Sequence, residues 1–262
     1  MNKLIYIVFT ILITPLAVNA DIKLEGSSTI LPIIKDIKKT YHKKIKVKGG
    51  GSTKGIESFK NNNCDIAMVS RELTQEEKAL GLVSHVIGYD GIAIIANSSV
   101  PVDGLNSSDI VDIYSAKVTN WINYSNKNEK ITVISKEDDR ATKKVFSKFF
   151  KINKVREDAI LVGSNTEDII FVASQPASIG YVSIGTAINA KNRGSNIKLL
   201  HLNGIKPTKQ NISNKKYPII RPLNLVTFKK ISKEVEEFIA FVQSPRGQKK
   251  VQKRNFVSIK TK

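Results

Sequence analysis

Cysteine is nearly missing from this chain. Of 262 residues only Cys64 carries a thiol, so no intrachain disulfide can form. It stands just before the apolar run Ile66–Val69 and reads as a packing thiol. Histidine is almost as scarce. His42, His85 and His201 lie in unrelated contexts, with no metal-ligand spacing and no neighbouring nucleophile. No metal, cofactor or catalytic residue is therefore expected. The serine-rich turns lack a Gly-x-Ser-x-Gly elbow, which argues against an esterase-like enzyme. Acidic residues are few, 23 against 42 basic ones, and leave a formal charge of +19. A field of that sign draws anions. It would also suit nucleic acid or an acidic surface, and a basic secreted surface- or nucleic-acid-binding module is one alternative reading. The lysines are spread along the chain and aromatics make up only 7%, so nucleic acid is not the expected partner.

Long apolar runs are confined to one place. Leu4 to Val18 is almost uninterrupted, follows Lys3 and ends at Val18-Asn19-Ala20. That is the pattern of a cleavable secretory signal over residues 1–20, with Asp21 as the expected first mature residue and the periplasm as destination. The run is short for a membrane span, and no lipid-bearing cysteine follows it. The rest of the chain is long for one core and suits two lobes.

What is present is a repeated unit of strand, small polar turn and helix start. Ile22–Glu25 alternates as a strand and ends at Gly26-Ser27-Ser28-Thr29, after which Ile30, Ile33, Ile34 and Ile37 mark a helical face. Pro32 is tolerated there because it falls in the first turn. Ser27, Ser28 and Thr29 either cap this helix or offer hydroxyls to a ligand. The second unit is Lys46-Val47-Lys48, then Gly49-Gly50-Gly51-Ser52-Thr53, then Ile56 and Phe59. Glycines let the backbone approach a ligand, Ser52 or Thr53 is the expected N-cap, and the free N–H groups of a helix start favour an anion. Taken alone, the stretch fits a flexible turn equally well. It has neither the end of a P-loop nor the dinucleotide fingerprint. Asp65–Val69 is a third strand, ending at Ser70-Arg71. Val83–Ile87 and Asp90–Asn97 read as two further extended pieces. Ile131–Ser135 leads through Lys136-Glu137-Asp138-Asp139-Arg140 into a helix over Ala141–Phe150. Glu167–Ala173 is an expected helix, Ile179–Val182 a strand, Arg221–Thr227 an apolar crossing strand, and Ser232 caps a helix faced by Val235, Phe238, Ile239 and Val242. The alternation implies an α/β layered architecture.

These pieces, in this order, resemble the phosphate-binding proteins of bacterial phosphate ABC transporters. The match rests on Gly26-Ser27-Ser28-Thr29, Gly49-Gly50-Gly51-Ser52 with Gly55-Ile56, Asp65 to Arg71, and Asp90-Gly91-Ile92-Ala93. It continues through Ile113-Tyr114-Ser115 to Asn120-Trp121, Ala177 to Val182, Tyr217-Pro218, Arg221-Pro222-Leu223 and Ser244 to Lys249. The resemblance implies a two-lobed type II periplasmic binding protein fold with two crossing hinge strands, near Ile92–Asn97 and Arg221–Val226. The first lobe is then 21–95 plus 222–262 and the second 96–221. It implies a monomeric receptor that captures inorganic phosphate between the lobes and hands it to ABC permease subunits. The residues it points to are Ser28, Thr29, Ser52, Ser70, Arg71, Asp90, Lys136, Arg140, Ala141 and Thr142.

Chemically, Ser28, Thr29 and Ser52 are neutral donors. Arg71 is either a charge-assisted donor or a surface ion-pair partner. Asp90 is either the acceptor for a protonated phosphate, which would exclude sulfate, or a carboxylate capping its own turn. In the second lobe the family pattern Arg-Glu-Asp, a small residue, then Ser-Gly-Thr-Arg becomes Lys136-Glu137-Asp138-Asp139-Arg140-Ala141-Thr142-Lys143. Lys136 replaces a fork with a point charge. Ala141 keeps its N–H, Thr142 matches, and Arg140 either supplies a replacement fork or fills the pocket. A receptor for another oxyanion is the nearest alternative.

Overall fold

The computed structural model describes residues 21–260; the signal peptide expected at residues 1–20 lies outside them. The first half runs β1 (Ile22–Gly26), α1 (Leu31–Lys38), β2 (Ile45–Gly49), α2 (Ser52–Lys60), β3 (Ile66–Val69), a short α3 (Gln75–Ala79) and β4 (Leu82–Asn97). The second continues with β5 (Gly104–Leu105), α4 (Ser107–Tyr114), β6 (Thr132–Lys136), α5 (Ala141–Phe150), β7 (Ile160–Val162), α6 (Asn165–Ser174), β8 (Ser178–Ser183), α7 (Ile184–Lys191), β9 (Ile197–Leu199), β10 (His201–Leu202) and α8 (Lys209–Ser213). The chain then returns through β11 (Ile220–Phe228) to α9 (Lys233–Gln243) and α10 (Pro245–Lys253). None of the described helices is long and apolar enough to cross a membrane.

β4 joins the two halves. The two extended pieces expected at Val83–Ile87 and Asp90–Asn97 are one strand of 16 residues. Its first part pairs antiparallel with β11 from Leu82 to Gly91, and its second part pairs with β8 from Ile92 to Ala96. One curled nine-stranded sheet results, in the order β2-β1-β3-β11-β4-β8-β6-β7 with β9 on β4. Gly88 falls inside this strand and looks like a break in sequence. Its absent side chain makes room instead, since a Cβ there would sit 2.8 Å from the Val257 carbonyl oxygen.

The apolar cores divide where the chain crosses. One contains Ile92, Trp121, Phe146, Tyr181 and Tyr217, and the other contains Leu24, Ile33, Met68, Leu225 and Phe238. The second is built from residues on both sides of the long excursion into the first, so it cannot form from a continuous segment, whereas the buried residues of the first all lie between Ile92 and Ile219. Cys64 packs with Ile56, Phe59 and Val69 in a satellite cluster, and burial pushes its thiol pKa up. Among the helices that the sequence reading does not mark, α7, α8 and α10 are short. α10 begins with the pattern that marks a start, Ser244 as cap and Pro245 in the first turn.

A tight backbone approach lies beneath the glycine turn. A Cβ on Gly55 would meet the Gly26 Cα at 2.6 Å and the Glu25 carbonyl oxygen at 2.7 Å. In an open helix Gly→Ala gains up to about 1 kcal/mol, but overpacking against fixed backbone costs about 1–3 kcal/mol. Gly55→Ala is therefore expected to lower the urea midpoint. A raised midpoint would show that α2 can move off β1.

Candidate functional site

A cavity of about 20 Å³ lies where the two halves meet. A single water needs about 10–15 Å³ on this measure, so the space admits one compact ion and excludes anything the size of a nucleotide. Four helix starts line it: Ser28 and Thr29 ahead of α1, Gly51 and Ser52 at α2, Ala141 and Thr142 at α5, and Ser164 and Asn165 at α6. The first N–H groups of a helix have no acceptor in their own helix and carry the positive end of its dipole. Ser27, Ser70, Gly163, Lys136 and Arg140 complete the lining, and no carboxylate belongs to it.

Each turn is shaped by its own residues. Gly51, with φ +103°, is the N-cap of α2, not Ser52 or Thr53 as expected. Ser52 is already in the first turn and fully buried, and its Oγ accepts from the Ser70 N–H at 3.1 Å. Ser27 donates to Ser70 Oγ at 2.9 Å. The Ser27–Thr29 hydroxyls do not cap α1. Ile30 is the N-cap, and its N–H and that of Leu31 turn back to the Ser27 carbonyl. That leaves Ser28 and Thr29 on the cavity wall.

Two buried ion pairs stand behind the lining. Lys136 Nζ donates to Asp168 Oδ2 at 2.6 Å and to the Ser164 carbonyl at 3.4 Å. Both side chains are almost wholly buried, 1% and 0% exposed. Burial pushes the Asp168 carboxyl up to about 6 against the pull of Lys136, and burial likewise lowers the Lys136 ammonium. In the second pair Arg221 Nε and Nη2 donate to Asp90 Oδ2 at 3.2 and 2.8 Å. The same guanidinium donates to Thr142 Oγ1 at 3.0 Å and Thr29 Oγ1 at 3.2 Å. Those threonines belong to helix starts on opposite sides of the cavity.

Further bonds cross the gap. Arg140 Nη1 donates to the Gly50 carbonyl at 2.6 Å, and Nε donates to Glu137 at 3.0 Å. Thr53 Oγ1 donates to the Asp139 carbonyl at 2.8 Å, and Asn165 Nδ2 donates to Thr29 Oγ1 at 3.1 Å. The conformation is thus a closed one.

The model of the PBP superfamily domain matches residues 15–246. Over the whole of both chains the sequence is 32% identical to the phosphate-binding protein PstS of Borreliella burgdorferi. The chain belongs to the PBP superfamily, in the PstS family. Among solved structures, a protein of Clostridium perfringens described as a phosphate ABC transporter substrate-binding protein with bound phosphate superposes with a TM-score of 0.85. It is 28% identical and covers 92% of this chain and 100% of its own. An ABC-type phosphate transport receptor of Vibrio cholerae has a TM-score of 0.76 at 27% identity, over 92% of this chain and 100% of its own. The type II periplasmic binding protein fold implied by the resemblance is the fold of this PstS family member.

Of the residues singled out in sequence, Ser28, Thr29, Ser52, Ser70, Lys136, Arg140, Ala141 and Thr142 are brought together around the cavity. Arg71 and Asp90 are not. Arg71 makes a two-pronged contact with Glu77, at 2.7 Å for each prong, and lines a separate groove. The capping box of α3 holds Glu77 there through the Thr74 N–H. Asp90 has one oxygen on Arg221 and the other on the Gly185 N–H at 3.3 Å, so its role here is to hold Arg221. Arg140 lines the cavity, with its guanidinium committed to Glu137 and Gly50.

Sequence reasoning missed Arg221, Asp168 and the Gly163-Ser164-Asn165 turn. Two signals were available. Ser164 followed by Glu167 is a capping pattern three residues apart, and Ser164 Oγ does accept the Glu167 N–H. A lone arginine in Ile219-Ile220-Arg221-Pro222-Leu223 also requires a buried partner, and Asp90 opens the neighbouring apolar strand.

Proposed function

We propose that this chain is an extracytoplasmic receptor that binds inorganic phosphate between its lobes and presents it to an ABC permease. The observation that carries the reading is the small cavity ringed by four helix starts and Lys136, with no carboxylate in its lining. Phosphate is named by the full-length PstS relative and by the phosphate-bound structure from Clostridium perfringens. The lobes are residues 21–95 plus 222–262 and residues 96–221, turning about β4 and β11 where the chain crosses twice. Ser28, Thr29, Ser52, Ser70, Lys136, Ala141 and Thr142 contact the anion, while Arg140 closes the cleft. Export follows from the signal pattern at residues 1–20. The protein acts as a monomer and catalyses nothing.

The test is calorimetric titration of anion-stripped protein with phosphate, then sulfate and molybdate. Tight one-site phosphate binding that changes little with salt is expected, because a buried ion is poorly screened. Heat with another oxyanion alone would assign a different cargo, and silence with all three would sink the receptor reading. Ser52 is buried on the cavity wall, where a leucine side chain would fill the space, so Ser52→Leu is expected to abolish binding in a protein that still melts cooperatively. Unchanged affinity would place the site elsewhere.

A further inference from the structure

Everything charged and acidic near the cavity is already occupied. Asp90 is held by Arg221 and by the Gly185 N–H, Glu137 by Arg140, and Asp168 Oδ2 by Lys136. The nearby carbonyls of Gly50 and Ser164 accept from Arg140 and Lys136. One acceptor on the lining is different. Asn165 is buried, 6% exposed, and lines the cavity from the first turn of α6. Its Nδ2 donates to Thr29 Oγ1, while its Oδ1 is fully buried and has no partner among the described residues. A buried amide oxygen without a donor is costly, so the fold keeps it for a donor that arrives from the cavity. Asp168 Oδ1 is also without a partner, but it packs against Gly180, where a Cβ would fall 2.2 Å from it, and it does not line the cavity.

We propose that Asn165 is the specificity-determining residue of this site, its Oδ1 accepting the hydrogen bond that a protonated phosphate offers and sulfate cannot. The proposal rests on the phosphate reading given above and names the group that selects within it. At neutral pH phosphate keeps at least one P–OH, whereas sulfate is acceptor-only. The helix N–H groups, Lys136 and the hydroxyls satisfy the unprotonated oxygens of either ion. Oδ1 then meets a donor in phosphate and another acceptor in sulfate, which leaves two buried acceptors facing each other. Sites with a fixed hydrogen-bonding group reject the analogue that lacks its counterpart by this route. Thr29 holds the amide in place. Its Oγ1 accepts from both Asn165 Nδ2 and Arg221 Nη2, so the bond that orients the amide also ties it to the buried arginine. Because the acceptor is neutral, it repels sulfate less than a carboxylate in the same position would. Asn165 differs in this from Asp90, for which the same role was expected.

The readout is the ratio of phosphate to sulfate affinity, from calorimetric titrations of the wild type, Asn165→Ala and Asn165→Asp, with thermal melts to confirm folding. Asn165→Ala is expected to lower the ratio about three- to tenfold, the worth of a neutral hydrogen bond, because phosphate loses its partner and sulfate its clash. Asn165→Asp is nearly isosteric and keeps the test open if the alanine variant does not fold. It is expected to raise the ratio by about tenfold or more, since a charged acceptor strengthens the bond to P–OH and repels sulfate. A merely structural role would weaken both anions together and leave the ratio where it was. In Asn165→Ala so would an amide turned the other way, with Nδ2 in the cavity. An unchanged ratio in the folded variants overturns the assignment of Asn165 while the receptor reading stands. A wild type that binds no phosphate overturns both.

Discussion

Arg221→Met should destabilise the protein by about 3–5 kcal/mol, the cost of leaving a buried charge without its partner. Asp90 is fully buried and would keep only the Gly185 N–H, a 3.3 Å contact. The same change removes the donors to Thr29 and Thr142, so anion affinity should fall with stability. Urea denaturation checks the first part and calorimetry the second. The double variant Asp90→Asn/Arg221→Met should recover part of the loss, since it removes the orphaned charge as well as its partner. A single-variant loss under about 1 kcal/mol would mean that water reaches Asp90. Arg221→Lys should not rescue, because one ammonium cannot span Asp90, Thr29 and Thr142 at once.

Lys136→Met should weaken phosphate binding by about 10- to 100-fold, the worth of a hydrogen bond to a charged group. Its effect on stability should depend on pH. In the wild type the Asp168 carboxyl lies at about 6, up from 3.8. Between those values the folded state holds a proton that the unfolded state has released. Stability from this group therefore falls as pH rises from 3.8 to about 6 and is level above it. Lys136 is shifted down, so its contribution to stability rises with pH on the alkaline side. The neutral plateau between is where the burial cost of the charged pair is fully felt. Without Lys136 the main group that opposes the desolvation of Asp168 is gone, and its carboxyl moves further up. The deficit of the variant against wild type should then be small at pH 5 and grow toward pH 8. A deficit that does not grow toward pH 8 would mean that Lys136 is not what holds the Asp168 carboxyl down. Denaturant titrations at the two pH values decide it.

The helix starts were legible because their chemistry is local. A short polar run between an apolar strand and an apolar helical face announces a turn wherever the chain takes it, and three of the four turns around the cavity are legible that way, two from glycine, serine and threonine and one from the charged run 136–140. The fourth, at Gly163-Ser164-Asn165, was passed over because β7 is only three residues long and too brief to show a period. Arg71 and Asp90 point to the anion in sequence only because their neighbours match a pattern. Which way a side chain turns depends on residues far along the chain. Glu77 draws Arg71 aside, and Arg221, 131 positions from Asp90, takes the carboxylate.

From sequence alone it follows that the chain is α/β, has no disulfide, carries a basic field and presents a series of polar helix starts. These are properties of composition and short-range spacing, and they hold in any tertiary arrangement. Only the tertiary structure decided which of the polar groups share one cavity and which are neutralised before reaching it. The crossing of β4 and β11 sets Thr29 and Thr142 on one guanidinium, puts Asp168 behind Lys136, and leaves the Asn165 oxygen without a partner. A buried charge or amide is satisfied by whatever the fold brings within hydrogen-bonding distance, and that distance is not written in the spacing along the chain.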